Sequence, residues 1–180
     1  MFVWNPMCWE KHMYQALTFI FHEACGWQDG LDFQFLATQN TMAALIGGQT
    51  VHHWGTIPVN VTAAQQKTMA KKGAGDVDPL FERVQSCRWL VIDEISTASL
   101  TLLGMLDSYL RRVCCRQPFA RRGRQQLPFG GLNIIFAGDL WQLPPVKGTA
   151  IFADPFHGGL GHEATPTRVY DICSLRVVSA

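Results

Sequence analysis

The stretch RWLVIDEIS, residues 88–96, decides the fold, because four consecutive apolar residues run directly into two adjacent carboxylates, Asp93 and Glu94. An unbroken apolar run of this length is typical of a strand that is buried on both faces of a parallel sheet. NIIFA, residues 133–137, has the same character and is also followed by a carboxylate, after one glycine. The sequence therefore predicts two buried parallel strands that each end in acidic side chains.

The remainder of the chain alternates between helical and strand patterns. Apolar residues at helical spacing or in short runs predict a helix over 11–24, a strand over 33–37, a helical turn over 42–46, a short helix near 80–85 and an amphipathic helix over 99–113. Strands that alternate with helices predict an α/β fold with a mostly parallel sheet covered on both faces.

Composition restricts the class of protein. The chain has 180 residues, of which 48% are hydrophobic and 16% charged, as expected of one compact globular domain. It opens without the layout of a signal peptide and has no apolar run near the ~18 residues that a membrane span needs, so we expect a soluble, intracellular protein with no membrane partner. None of the six cysteines forms a C-x-x-C pair, which favours reduced thiols in the core over a disulfide framework or a zinc site.

Positive charge is concentrated in one window, although the formal net charge is only +1. No acidic residue lies between Asp107 and Asp139, and this window contains Arg111, Arg112, Arg116, Arg121, Arg122 and Arg124. Two interpretations fit. The window is either a solvated loop, since RQPFARRGRQQLP has no apolar period, or a surface that meets nucleic-acid phosphate.

The carboxylates at the strand ends are candidates for a binding site. Ligands of open α/β sheets bind at the carboxyl ends of the strands, so Asp93, Glu94 and Asp139 are expected at one edge, beside a nucleotide. Uncompensated carboxylates would be costly there, and a hydrated magnesium ion carrying nucleotide phosphates is the simplest compensation. In such a site Asp93 holds the metal and Glu94 polarises the attacking water. The alternative is that Asp93 and Glu94 cap the following helix, where negative charge is favourable.

A second motif, GDLWQLPPV at 138–146, follows the second apolar strand. Its two prolines fix an extended backbone behind Gln142 and so aim the amide of that side chain. An amide can donate to a phosphate oxygen and accept from water, so Gln142 is predicted to sense the terminal phosphate.

IDEIS at 92–96 and GDLWQLPPV at 138–146, in this order and with a helix between them, resemble a known family. This family is the Pif-type 5′-to-3′ DNA helicases of superfamily one, which include the helicase part of Helitron transposons. The resemblance implies a RecA-like P-loop NTPase three-layer sandwich that uses ATP and magnesium and binds single-stranded DNA. It also implies roles in DNA repair, recombination, telomere maintenance or transposition, in the nucleus or the mitochondrion.

The segment GGQTVHHWGTIP, residues 47–58, is similar to the family's G-x-T-I-H-S segment, which lies along single-stranded DNA. Thr50 and His52 match the family's threonine and histidine, whereas His53 replaces the serine. Trp54 is either a surface on which a base stacks or a packed residue. Arg121, Arg122 and Arg124 would add phosphate contacts. Just upstream, the place of the family's APTG-x-AA segment is taken by residues of which Ala43 and Ala44 agree and Thr38, Gln39, Asn40 and Thr41 do not.

The start of the chain departs most from the family pattern. A nucleotide-binding member should open with a strand, then G-x-x-x-x-G-K-[ST], whose backbone N–H groups cradle phosphate, then a helix. Placing Lys11 on the motif's lysine puts Asn5 and Glu10 on its glycines and His12 on its metal-binding hydroxyl. Glu10 would repel a triphosphate. Either this is a decayed phosphate loop with its helix beginning after Lys11, or Lys11 is an ordinary residue at a helix start.

The family has two motor domains, and residues 1–180 correspond to a partial first one, with the second expected to be absent. An arginine from the second domain stabilises the transferred phosphate and is worth roughly 10³ to 10⁵ in rate, so hydrolysis by this chain should be slow. Three function classes follow. They are an ATP-dependent DNA helicase motor domain, a catalytically inactive remnant that binds single-stranded DNA, and a P-loop ATPase unrelated to DNA.

Overall fold

The computed structural model describes residues 6–59, 78–114, 126–139, 144–145 and 148–151. Within these ranges four strands form one sheet in the order β2-β1-β3-β4, and all neighbouring pairs are parallel. The strands are β1 (Phe33–Ala37), β2 (Gln49–Thr50), β3 (Trp89–Asp93) and β4 (Asn133–Phe136). The predicted parallel α/β sheet is therefore confirmed, together with the two apolar runs that end in carboxylates.

Helices connect the strands. They are α1 (Pro6–Phe19), which continues into a π-helical turn (Ile20–Ala24), α2 (Asn40–Leu45), α3 (Val51–Trp54), α4 (Asp78–Val84) and α5 (Leu100–Cys114). The helix expected to begin after Lys11 in fact begins at Pro6, so that prediction is wrong by about a turn and a half. In the part of the chain that the structure describes, no helix is long and apolar enough to cross a membrane.

Two apolar layers cover the two faces of the sheet. The larger core lies on the face that carries α3, α4 and α5 and includes Trp54, Leu80, Leu106 and Leu110. The smaller one lies under α1 and joins Tyr14 and Phe21 to side chains of β1 and β3. This three-layer arrangement follows from sequence, because the strands are apolar on both faces and each helix carries an apolar stripe.

The strand β4 is less buried than its unbroken apolar sequence predicts. Asn133 is exposed, Ile134 and Ile135 are half-buried, and only Phe136 of this strand is buried. One edge of β4 pairs with β3, and no described residue pairs with the opposite edge. The interpretation of NIIFA as fully buried is therefore wrong for the described part of the chain.

The cysteines only partly follow the expectation of core thiols. Cys87 and Cys114 are buried, but Cys25 lies exposed after the π-helical turn. Burial raises the pKa of the Cys87 thiol to about 12, so this side chain is an unreactive part of the core.

A buried ion pair connects α5 to Gln126 and to the turn Pro128–Gly131. Asp107 is 1% exposed and accepts from Arg111 Nε with both carboxylate oxygens, at 2.9 and 2.8 Å. Its Oδ1 also accepts from the backbone N–H of Phe129 at 2.6 Å, while Arg111 Nη1 donates to the carbonyl of Gln126 at 2.8 Å. The turn Pro128–Gly131, which precedes β4, is thereby held against α5.

We expect Asp107→Ala to lower the free energy of unfolding by about 3 to 5 kcal/mol, because it removes the carboxylate that Arg111 and the Phe129 N–H share in a buried place. Urea unfolding followed by circular dichroism measures this loss. Asp32→Ala is the matched control. Its ion pair with Arg88 is longer, at 3.4 Å, and the arginine is 61% exposed. Its Oδ2 also accepts from the Gln28 backbone N–H at 3.1 Å, so the loss of both contacts should cost about 1 kcal/mol. Equal losses in the two variants would contradict the structural role of Asp107.

Candidate functional site

All four strands end at the same edge of the sheet. In the register of the ladders Ala37 is the partner of both Thr50 and Asp93, and Ile92 is the partner of Phe136. The chain leaves β1 for α2 and leaves β3 for α5, which lie on opposite faces of the sheet. Such a reversal opens a crevice at the carboxyl ends of the two strands, and this is where open α/β sheets bind ligands.

Asp93 lies at this crevice and is almost completely buried. Its side chain is 1% exposed, and its Oδ2 has no hydrogen-bond partner among the described residues. Burial raises the pKa of the Asp93 carboxyl, whereas the Tyr14 hydroxyl and the backbone N–H of Glu94 favour its charged form. A buried carboxylate oxygen without a partner is rare, and it marks a position where a cation or a donor would be favourable.

There is room for a ligand next to Asp93. A cavity of about 970 Å³ lies between α1 and α2, and its walls include Tyr14, Thr18, Met42, Ile46 and Asp93. Within the described residues no three His, Cys, Asp or Glu side chains are grouped to hold a metal ion. Magnesium in nucleotide sites is bound through one or two carboxylates, with phosphates and water completing its shell. The open oxygen of Asp93 fits that mode of binding.

Glu94 is held in a left-handed backbone conformation, with φ 53° and ψ 41°. Its carbonyl accepts from Thr97 twice, from the backbone N–H at 3.0 Å and from Oγ1 at 2.9 Å. The next N–H, that of Ile95, donates to the carbonyl of Ala137 at 3.0 Å. A left-handed residue other than glycine costs about 1 to 2 kcal/mol and persists where its surroundings fix it. Here both sides of the Glu94–Ile95 peptide are fixed.

Gly138, directly after β4, completes this arrangement. Its φ of 146° is rarely adopted by residues with a side chain, and a Cβ at this position would lie 2.9 Å from Ile95 N and 3.4 Å from Glu94 Cα. Only glycine therefore allows the chain after β4 to approach the turn after β3 so closely. The next residue, Asp139, is exposed at the same edge.

The capping role left open for Asp93 and Glu94 belongs to another residue. Ser99 Oγ accepts from the backbone N–H of Leu102 at 3.2 Å and so caps the first turn of α5. The side chain of Glu94 makes no capping hydrogen bond to the short turn Ile95–Thr97 that follows it. The first turn of α5 is thus capped by Ser99 and not by Glu94.

The segment that resembles a DNA-contacting motif lies at the same edge, after β2. Thr50 Oγ1 accepts from the backbone N–H of His53 at 3.2 Å and caps α3. His52 is half-buried, and burial lowers the pKa of its imidazole, so it is neutral at pH 7. Arg83 Nη1 donates to the carbonyls of His53 and Trp54, at 2.8 and 2.7 Å, and holds the end of α3.

The stacking role predicted for Trp54 is contradicted by its position. Its ring is 1% exposed and belongs to the core under the sheet, together with Val51 and Leu106. The four-residue helix α3 turns Trp54 inward because an indole gains far more from burial than from one exposed face. The packed alternative is the correct one.

The start of α1 does not have the form of a phosphate loop. Residues 6–10 are already helical, and Lys11 lies in the second turn, with His12 exposed after it. Only the first four N–H groups of a helix are free of intrahelical bonds, and Pro6 has none to offer. Both sequence interpretations placed Lys11 where a helix starts, so this position is corrected. Asn5 lies outside the described residues.

Four other predicted site residues also lie outside the described residues. They are Gln142, Arg121, Arg122 and Arg124, and their roles stay predictions. Conversely, the sequence analysis missed Tyr14, Thr38 and Thr97. Thr97 could have been found, since a hydroxyl three residues after a turn residue often bonds back to its carbonyl. Nothing in the sequence near Tyr14 or Thr38 indicates their partners.

Comparison with known proteins agrees with this geometry. The family model for PIF1-like helicase matches residues 35–158. The chain is 35% identical over 121 residues to the ATP-dependent DNA helicase PIF1 of Saccharomyces cerevisiae, a match that covers 62% of this chain and 12% of that protein. It is 34% identical over 110 residues to the ATP-dependent DNA helicase PIF1 of Homo sapiens, which covers 61% of this chain and 15% of that protein.

A solved structure is similar as well. The crystal structure of Bacteroides sp Pif1 in complex with ADP-AlF4 superposes with a TM-score of 0.53 at 26% identity, over 74% of this chain and 27% of that one. This likeness confirms the RecA-like α/β fold expected from the motifs. The chain spans under a fifth of the length of the two curated relatives, at 12% and 15%.

We expect Asp93→Asn to stabilise the protein increasingly as pH rises. Because the pKa of Asp93 is raised in the folded state, that state holds the proton more tightly than the unfolded state does. The wild type therefore has its full free energy of unfolding below about pH 4 and loses part of it as pH rises through the raised pKa. Asparagine does not titrate. Urea unfolding in metal-free buffer from about pH 4 to about pH 7 should therefore show a growing advantage for the variant.

Asp139→Asn is the control, because Asp139 is exposed at the same edge of the sheet. Because folding does not desolvate an exposed carboxylate, this variant should not be more stable than the wild type at neutral pH. Magnesium added at neutral pH should stabilise the wild type and narrow its difference from Asp93→Asn. An advantage of Asp93→Asn that shrinks as pH rises would contradict a desolvated carboxylate.

Proposed function

This chain belongs to the PIF1-like helicase family, and we propose that it is part of the first motor domain of an ATP-dependent 5′-to-3′ DNA helicase. One observation carries the proposal. A buried carboxylate with an open oxygen, Asp93, lies beside a conformationally fixed Glu94 at the carboxyl edge of a parallel sheet. That is the place and the chemistry that nucleotide hydrolysis requires.

In this proposal Asp93 would hold magnesium, which would supply positive charge to the nucleotide phosphates. The Glu94 carboxylate orients and polarises the attacking water, because its backbone is held in one conformation by Thr97 and Ala137. Asp139 lies at the same edge, next to the nucleotide. Gln142 senses the terminal phosphate through its amide.

Single-stranded DNA would run along the same edge, past Thr50 and His52. Since His52 is neutral, it can donate or accept a hydrogen bond but brings no charge to a phosphate. The charge would come from Arg121, Arg122 and Arg124, so affinity would depend on salt. Trp54 has no part in this interface because its ring is buried.

A second function is favoured by the start of α1. Residues 6–10 are helical and lack the glycines of a phosphate loop, so the chain would bind ATP poorly while its DNA-contacting segment stays intact. In that case the protein is a catalytically inactive relative that binds single-stranded DNA. Nucleotide binding and DNA binding are therefore tested separately.

We expect the unmodified chain to bind magnesium-ATP weakly or undetectably in isothermal titration calorimetry. Changing Asn5, Cys8 and Glu10 to Gly and His12 to Thr should restore binding at least in part. Each glycine in a helix costs about 1 kcal/mol relative to alanine, so these changes open the first turns of α1 and expose N–H groups to phosphate. Adding Asp93→Asn should remove the magnesium-dependent part of the restored binding. Tight binding by the unmodified chain would contradict the inactive alternative.

We expect single-stranded DNA binding that weakens steeply with salt. Each phosphate neutralised contributes about 0.7 to the slope of log affinity against log salt on single strands, so changing Arg121, Arg122 and Arg124 to Gln should reduce the slope by roughly 2. Fluorescence anisotropy with a labelled oligothymidine measures it. Arg88→Gln is the control, since Arg88 directly precedes β3, at the opposite edge of the sheet. A slope that does not change in the triple variant would rule out this interface.

A further inference from the structure

Two threonine hydroxyls link the end of β1 to the turn that carries Glu94. Thr38 directly follows the last residue of β1, and its Oγ1 is hydrogen-bonded to Thr97 Oγ1, although the two residues are 59 positions apart in sequence. Thr97 Oγ1 in turn donates to the carbonyl of Glu94 at 2.9 Å. The three groups form a continuous chain of hydrogen bonds across the crevice between β1 and β3.

The direction of this chain is fixed by the number of protons. A threonine hydroxyl has one proton to donate, and that of Thr97 is used on the Glu94 carbonyl. Thr97 can therefore only accept from Thr38, so Thr38 is the donor of the first bond. Hydrogen bonds that run in one direction polarise each other, which strengthens the bond from Thr97 to Glu94.

We propose that Thr38 is a positioning residue, which acts through Thr97 to hold the Glu94 backbone in its left-handed conformation. This rests on the proposed role of Glu94 in orienting water. The carbonyl of Glu94 receives both of its hydrogen bonds from Thr97, so the rotamer of Thr97 decides whether the second bond forms. That rotamer is held from the neighbouring strand by Thr38.

The link also joins the segment after β1 to the turn after β3, at the carboxyl edge of the sheet. Thr38 begins the segment after β1 that corresponds to a DNA-contacting motif of the family, and it is one of the four positions where this chain departs from that motif. The other end of the link is the carbonyl of Glu94. The segment after β1 is thereby connected to the backbone of Glu94 by two hydrogen bonds.

The test is nuclear magnetic resonance on the full chain with Thr38→Val and Thr38→Ser. Valine keeps the shape of threonine but has no proton to donate, whereas serine keeps the hydroxyl. We expect Thr38→Val to shift the carbonyl resonance of Glu94 and to speed hydrogen exchange of the Thr97 amide by roughly three- to tenfold, the range of one net hydrogen bond. Thr38→Ser should restore both values. Thr101→Val, on the exposed side of α5, is the matched control and should change neither.

Three outcomes would overturn the proposal. In one, Thr38→Val leaves the Glu94 carbonyl and the Thr97 amide as in the wild type. In another, Thr38→Ser changes them as much as Thr38→Val, which would mean that packing and not the hydroxyl matters. Thr97→Val provides a second measurement if Thr38→Val does not fold. If Thr97→Val shifts the carbonyl resonance of Glu94 and Thr38→Ala does not, Thr97 positions Glu94 without Thr38. That outcome would also overturn the proposal.

This experiment does not depend on nucleotide or DNA. Failure of the proposed function would appear as absent binding in calorimetry and anisotropy, with the resonances of Glu94 still responding to Thr38. Failure of the present inference would appear as unchanged resonances, whatever the chain binds.

Discussion

The hydrogen bond from Ile95 N to Ala137 O, 3.0 Å long, is the interaction on which the arrangement of the carboxyl edge of the sheet depends. It joins the turn after β3 to the end of β4 and places Gly138 against the backbone of Glu94. Together with the hydrogen bonds from Thr97 to the carbonyl of Glu94, it fixes the Glu94–Ile95 peptide between β3 and β4. The motif that contains Asp93 and the motif that begins at Gly138, 45 residues later in the chain, are thereby brought together at one place.

Two buried aspartates in this structure differ in how their charge is compensated. Asp107 and Asp93 are both 1% exposed. Both oxygens of Asp107 accept from Nε of Arg111, and Oδ1 also accepts from the backbone N–H of Phe129, so its charge is compensated within the fold. Asp93 keeps an oxygen without a partner among the described residues, next to a cavity. A fold that leaves a buried carboxylate oxygen open is less stable than one that pairs it, which is expected where a ligand supplies the missing charge.

The start of the chain differs in sequence from the phosphate-loop motif of the family. With Lys11 placed on the motif's lysine, Asn5 and Glu10 replace its glycines, and residues 6–10 form a helix instead of a loop. Residues other than glycine favour a helix by up to roughly 1 kcal/mol each, in agreement with that helix.

The sequence by itself determined β1, β3 and β4, the acidic residues after β3 and β4, and the family, because an apolar run and the turn after it are local properties. It did not indicate the two-residue strand β2, which is too short to form such a run. It also determined that the sheet is parallel, since helices alternate with strands. Only the tertiary structure decided that Trp54 is buried, that β4 is half-exposed and that Ser99 caps α5. It alone paired Thr38 with Thr97 across 59 positions. Burial and side-chain pairing depend on which distant elements meet, and no local pattern encodes that.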